Sequence, residues 1–399
     1  MRRLLAAAKR GPRGTITPPP PPDPDPPPDP DPGAYQANPG DDIATLAQSN
    51  DSILLLAGTH DPFQIDTANV TIQWAPGAIV EGGAWVNAAN VTFISPVVTN
   101  AVRGIKVLKG GFVCTNPDIY GCGNGFLFQG SLAGGTVTGG TVHDNNRVIR
   151  NTQTPTGEDY GAMGFDFHDT NTAITISGVR VYGNRVTSTA PSTSWNHNTA
   201  ALGTAPGPAV RSWDYGTNEG AAFELWQSRN VTIEDCRTWN NQIVIETGRS
   251  VSQNGPECLF TFRNNRNWNG KTDSTRLTKG LLLRTAQNSL VEHNVFDRLD
   301  HWAINVTGGG GFGGTVGGLV IRDNITVTPA AFIQVGSPSG SYTHHYNLVG
   351  GTKAWGSGGS EVASLHGIAA DPQFLADYAL ASTSPAQGAG HDGSDMGVI

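Results

Sequence analysis

Apolar residues alternate with polar ones in short runs along most of this chain, and few runs exceed six residues. One phrase recurs: a polar residue, an alternating apolar stretch, then often Asn. It reads Asn69-Val-Thr-Ile72, Asn90-Val-Thr-Phe93, Thr172-Ala-Ile-Thr-Ile176, Asn230-Val-Thr-Ile233, Leu259-Phe-Thr-Phe262, Ser289-Leu-Val-Glu-His-Asn294 and Leu319-Val-Ile-Arg-Asp-Asn324. Period-two alternation over so few positions predicts strands, not helices. Taking Cys236, Asn265, Asn294 and Asn324 as equivalent positions gives steps of 29, 29 and 30 residues, within the range of repeat architectures.

Each phrase is preceded by another alternating strand. The series runs Gly125-Phe-Leu-Phe128, Gly164-Phe-Asp-Phe-His168, Ala222-Phe-Glu-Leu-Trp226, Ile243-Val-Ile-Glu246, Leu281-Leu-Leu-Arg284, Trp302-Ala-Ile-Asn305 and Phe332-Ile-Gln334. A short third strand follows, as in Arg180-Val-Tyr182 and Arg237-Thr-Trp239. Three short strands per coil, stacked in parallel, predict an all-β solenoid: a right-handed single-stranded parallel β-helix with long loop insertions. Equivalent side chains then stack about 4.8 Å apart. Asn at the turns fits, because it tolerates left-handed backbone and can hydrogen-bond along the stack.

Composition agrees. The chain holds 52 Gly, and only 15% of its 399 residues are charged. A formal net charge of -8 disfavours nucleic acid as a partner. No stretch approaches the roughly 18 apolar residues of a membrane span. The four cysteines, Cys114, Cys122, Cys236 and Cys258, form no C-x-x-C pair. Cys114 and Cys122 are near enough in sequence to bridge one coil, but buried thiols acting as small hydrophobes are the favoured reading.

Residues 1–14, MRRLLAAAKRGPRG, make a basic segment whose apolar run, Leu4 to Ala8, is shorter than a secretory leader needs. Residues 15–34 form a Pro/Asp-rich linker, with PPPPPDPDPPPDPDPG at 18–33 reading as a stiff, extended spacer. Residues 35–399 are assigned to the β-helix domain.

The segment NVTIEDCRTWNN at 230–241 and the ending DPQFLADYALASTSPAQGAGHDGSDMG at 371–397 resemble the pectate-lyase-like right-handed β-helix superfamily. The resemblance spans roughly residues 40–399. Bacterial and phage members often end on a similar closure, matched here by Asp371, Pro372, Phe374, Ser384, Pro385, Ala386, Gly390, Asp395 and Gly397. A segment near 35–60, including Asp51-Ser-Ile-Leu-Leu-Leu56, is expected to cap the other end, since solenoids need protected ends. The resemblance implies a polysaccharide partner rather than one particular reaction.

Alternation in the leading strands predicts which side chains face out. Phe165, Phe167, Phe223, Leu225, Ile243, Ile245, Leu281 and Leu283 are expected inside. One outward column then holds Asp166, Glu224, Val244 and Leu282; a second holds His168, Trp226, Glu246, Arg284, Asn305 and Gln334. Asp166 and Glu224 on neighbouring rungs would be about 5 Å apart. Paired carboxylates at that range can split their pKa values into an acid and a base or nucleophile. Asp166, Glu224, Glu246 and Arg284 are therefore the candidate catalytic residues. His168, Trp226, Asn305 and Trp213 are the candidate substrate contacts, because sugar rings stack on aromatic faces and hydroxyls suit polar groups. A polar ladder without chemistry is the competing reading, with Glu246 and Arg284 as a simple ion pair.

Three insertions, 187–220, 268–279 and 307–317, interrupt the coils and could wall a groove or make homotrimer contacts. His143-Asp144 and Asp300-His301 at turns, and the strand doublet His344-His345, read as structural. No metal site is assigned; Glu158, Asp159, His168 and Asp169 leave Ca²⁺ open, without an EF-hand or nonapeptide pattern. The N-terminal segment, the linker and the β-helix together suggest a phage tail appendage in the virion. Such a protein would bind, and could depolymerise, a host surface polysaccharide, with other tail proteins as N-terminal partners. A secreted bacterial polysaccharide lyase or epimerase, for which Arg284 or Lys279 would be the base, is the alternative. A non-catalytic structural or adhesive β-helix is the third.

Overall fold

The computed structural model describes residues 33–48, 51–146, 148–149, 160–185, 220–249, 255–268, 278–299, 302–307, 314–327, 331–335, 340–350, 354–357 and 366–398. Those residues wind as a right-handed parallel β-helix with three sheets. Each coil contributes first to an 11-stranded leading sheet, next to a 13-stranded middle sheet, then to a 12-stranded third sheet. The recurrent Asn-Val-Thr-Ile phrases all fall in the middle sheet, for example Val231–Glu234 paired with Phe260–Arg263. The phrases preceding them form the leading sheet, and Arg180–Tyr182 and Arg237–Trp239 pair in the third.

The interior is a continuous apolar column. Phe126, Phe165 and Phe223 stack rung upon rung with centroids 4.9 and 5.4 Å apart, and all three are fully buried. Two asparagine ladders line the turns. Cys236 N donates to Asn265 Oδ1, Asn265 N to Asn294 Oδ1, Asn294 N to Asn324 Oδ1 and Asn324 N to Asn347 Oδ1, each at 2.9–3.0 Å. The equivalence of Cys236, Asn265, Asn294 and Asn324 read from the sequence is thus a chain of hydrogen bonds. A second ladder links Cys122, Asn145, Asn184 and Asn241 at another turn. Both serve one need: backbone that leaves a strand at a buried turn must still find partners.

All four cysteines are buried and outside any disulfide, and burial pushes the thiols of Cys236 and Cys258 up to about 12. The short helix Ile43–Leu46, capped by Asp42, brings Ile43 and Ala47 into the core beside Phe63–Ile65, while Tyr35–Ala37 forms the first strand of the middle sheet. The expected cap near 35–60 is therefore residues 35–48; Ser52–Leu55 already belongs to a coil.

The C-terminal closure does something other than plug an end. Phe374, Tyr378, Leu380, Ala386, Met396 and Val398 pack on Trp268, Val295, Ile325 and Leu348, which face outward from the third sheet. Arg237 and Arg266 both reach Asp377, at 2.9 and 3.5 Å, and Tyr378 donates to Asp297 at 2.9 Å. The tail lies along the flank of the last coils and covers apolar outward positions that would otherwise be wet. No helix among the described residues is long and apolar enough to cross a membrane.

Candidate functional site

The leading strands bend. Two successive residues in each, such as Val244 with Ile245 or Ala303 with Ile304, enter the core before the first outward side chain of the site. This corrects the outward columns predicted by strict alternation. Val244 is a core residue, not an outward one. Ile243, expected inside, instead joins Ala221, Leu282 and Trp302 in a separate buried apolar cluster on the outer side. Glu246, placed in the second column by the alternation, aligns directly with Glu224. Asn305 and Gln334 shift with it.

The observed first column is Trp85, Lys106, Leu127, Asp166, Glu224, Glu246, Leu282 and Asn305, with Gln334 next in backbone register. Three carboxylates thus occupy three successive rungs, separated by the ~4.8 Å of strand spacing. The second column keeps His168 and Trp226, adds Gln129 before them and continues with Gly248. Arg284, just past the strand Lys279–Leu283, returns to the acids: its Nη2 lies 3.0 Å from Glu246 Oε1. Thr247 holds that return in place, because its Oγ1 accepts from Arg284 N at 3.1 Å and donates to Thr285 O at 2.8 Å.

Asp166 is buried and takes a hydrogen bond from Asn124 Nδ2 at 2.7 Å. Burial raises its pKa above the ordinary carboxylate value, against the opposing pull of His168, Arg103 and Asn124. Glu224 is pushed well above its ordinary value by burial, then by the charges of Asp166 and Glu246 on either side; Arg284 opposes this. Like charges stacked on successive rungs cannot all ionise cheaply, which adds to the effect of burial on the middle one. Lys279 is lowered by burial and by Arg284, with Glu246 pulling the other way. At the near end of the column, Lys106 sits over the Trp85 ring, 4.8 Å from its centroid, and burial brings it down to about 8. Asn305 Oδ1 is buried without a hydrogen-bond partner among the described residues.

On the second column His168 Nε2 lies 3.4 Å from Asp169, and its ring is 6.2 Å from that of Trp226 at a 43° tilt. Both rings are partly exposed, so an aromatic edge lies open next to the carboxylates.

Of the sequence candidates, Asp166, Glu224, Glu246 and Arg284 converge, with His168 and Trp226 beside them. Asn305 lies two rungs beyond Glu246 in the same column. Trp213, with Trp195, His197, Arg211, Asp214 and Tyr215, lies outside the described residues, as do Glu158, Asp159, Asp300 and His301. Asn124 was missed, and Lys279 entered only as a base for the lyase alternative. Both sit in an outward column that precedes the bend, with Arg103 and Met163. The signal was present in Asn124-Gly-Phe and Lys279-Gly-Leu: a polar residue, Gly at the first core position, then the apolar run.

A search of family models finds no match, and no curated protein matches either. Among solved structures, the chain is similar to the pectate lyase Pel9A, with a TM-score of 0.44 at 13% identity, covering 90% of each chain. It is also similar to a PL6 alginate lyase solved with a trisaccharide, with a TM-score of 0.34 at 11% identity, covering 83% of this chain and 89% of that one.

Proposed function

We propose that the outward flank of the leading sheet binds an elongated polysaccharide and hydrolyses it, with Glu224 as general acid. The observation that carries this reading is the file Asp166, Glu224, Glu246 on successive rungs, in which burial and the flanking acids raise the pKa of the middle member. A protonated carboxylic acid beside carboxylates is what glycosidic cleavage requires: one group protonates the departing oxygen and another activates water or attacks the sugar. Glu246, paired with Arg284, supplies the carboxylate; Asp166, oriented by Asn124, supplies the other flank. His168 and Trp226 would receive the sugar ring one column away.

One observation favours a second reading. Burial favours the neutral amine at Lys279, near Glu246 and Arg284, and a neutral amine can take a proton next to a uronate carboxylate, giving a lyase. The purified protein, incubated with acidic and neutral bacterial polysaccharides, separates the two. Reducing ends released without ultraviolet absorbance support hydrolysis. Both signals rising together mean β-elimination and move the base to Lys279. Binding without either signal leaves an adhesive β-helix.

The biological setting we propose is a phage tail appendage acting on host surface glycan, supported by the basic segment and Pro/Asp tract of residues 1–34. Detection of the protein in purified virions tests it.

A further inference from the structure

We propose that His293, Asp323 and His391 form a binding site for a divalent transition metal of the zinc type, which fastens the C-terminal tail to the β-helix. This site is unrelated to the carboxylate flank, since it opens at the turn after the middle sheet.

The turn after the middle strands repeats one backbone conformation. Asp235, Asn264, His293, Asp323 and Tyr346 stand there with φ between 51° and 57°. They follow positions that are paired in register, Glu234, Arg263, Glu292, Arg322 and His345. Left-handed backbone favours Asn and Asp, whose short side chains can bond locally. Nothing in the turn calls for the imidazole at position 293, so its identity needs another explanation. His293 and Asp323 occupy consecutive rungs, and the tail delivers His391 to the same place.

The donor atoms are already close. His391 Nδ1 lies 2.5 Å from Asp323 Oδ2, and His293 Nε2 lies 3.7 Å from that same oxygen. The three donor atoms all lie within 4.8 Å of one another. Ligands held about 2.0–2.2 Å from a tetrahedral zinc stand roughly 3.4 Å apart, and the two imidazole separations from Asp323 Oδ2 fall on either side of that spacing. Two imidazoles with one carboxylate suit zinc and its neighbours rather than calcium or magnesium, which prefer all-oxygen shells.

Burial and charge agree. The Asp323 side chain is fully buried and that of His293 is 9% exposed. Asp323 Oδ1 accepts from His391 N at 2.9 Å, which leaves Oδ2 turned toward the imidazoles. The Nδ1 atom of His293 is buried without a hydrogen-bond partner among the described residues, so that ring is not committed elsewhere. Arg322 Nε is 3.9 Å from Asp323 but donates to Glu292 at 2.9 Å, and its Nη2 lies 2.7 Å from Glu292, so its charge is spent there. A buried carboxylate wants a cation, and a metal ion would meet that need with both imidazoles neutral.

The consequence is mechanical. The metal would join a turn of one coil, the turn of the next, and a tail residue 68 positions further on. It would bind only when the tail lies against the third sheet, and so would stabilise the docked form by mass action.

The test uses the full-length chain without a polyhistidine tag, stripped with chelator and titrated with Zn²⁺ at neutral pH. Metal content and calorimetry should show about one zinc bound per chain, a higher melting temperature, and release on acidification as protons compete for the imidazoles. Co²⁺ in place of zinc should give the visible absorption of a four-coordinate site. His293→Asn restores the residue type found at position 264 of the same turn, where φ is 57°, so it should fold. It should weaken zinc binding by more than about tenfold, as should His391→Gln, with melting of the metal-free protein little changed in His293→Asn. Absence of stoichiometric zinc binding by the wild-type chain would overturn the proposal. Undiminished binding by both variants would also overturn it, because the metal would then lie elsewhere.

Discussion

Glu224 and Glu246 stand directly opposite each other on adjacent rungs, and Arg284 reaches Glu246 at 3.0 Å. The two glutamates therefore differ in electrostatic environment despite equivalent backbone positions. Burial and its two acidic neighbours raise the pKa of Glu224, whereas Glu246 faces the guanidinium directly.

Glu224→Gln should abolish polysaccharide cleavage, by about a hundredfold or more, while circular dichroism stays native. Its effect on stability has a definite sign. A carboxyl whose folded pKa is raised contributes most below its unfolded value, and that contribution is lost as pH rises through the folded value. The Gln variant should therefore melt higher than wild type at alkaline pH and about equally near pH 4. A variant that melts lower than wild type at alkaline pH would show that the pKa of Glu224 is not raised.

Arg284→Ala should cost about 3 kcal/mol, because it strands a mostly buried carboxylate. Chemical denaturation would show this as a lower midpoint at neutral pH. The double variant Arg284→Ala with Glu246→Gln should recover much of the loss, a result that a purely steric role for Arg284 would not produce.

His143 lies between Asp118 and Asp144, at 3.1 and 2.9 Å, and stacks between Tyr120 and Tyr182. Burial opposes the proton, but the two carboxylates outweigh it and raise His143 to about 9. A raised His stabilises fully below its unfolded pKa and loses that contribution as pH rises through the folded one. His143→Gln should thus be less stable than wild type near pH 6, by about 1 kcal/mol because solvent screens the half-exposed carboxylates, with the deficit shrinking as pH rises from 6.5 to about 9. Melting curves across that interval check it. The stacked rings present their edges outward, which makes this file a structural pillar rather than a platform for a sugar.

Asn294→Ala should destabilise by about 3 kcal/mol or more. Asn294 Nδ2 donates to Asn324 Oδ1, Phe262 O and Glu292 O, while its Oδ1 accepts from Asn265. Removing it orphans buried groups on two neighbouring coils. Hydrogen exchange should rise first in the turns at 265 and 324.

Trp226→Ala should weaken binding of the cognate oligosaccharide by about tenfold with little change in melting, since one ring face contributes on the order of 1 kcal/mol. Unchanged affinity would move the sugar site off the second column.

The fold was legible because a solenoid repeats locally. Recurrent Asn at the turns and short alternating runs carry much the same instruction coil after coil, and the 29-residue step between Asn265 and Asn294 is closed by two hydrogen bonds, from Asn265 N and Nδ2 to Asn294 Oδ1. That Asp166 and Glu224 share a column was equally readable, since both follow Phe at the same offset.

The sequence by itself determined the winding and the flank on which acids gather. Only the tertiary structure decided that Glu246 aligns with Glu224, because the bend that sends Val244 and Ile245 both into the core breaks the two-residue period on which any reading of faces depends. It alone brought Asn124 to Asp166 across 42 residues and His391 to Asp323 across 68. Those contacts depend on how coils of unequal length stack and on where the tail folds back. No local pattern encodes them, because the partners meet only when the whole column of coils is in register.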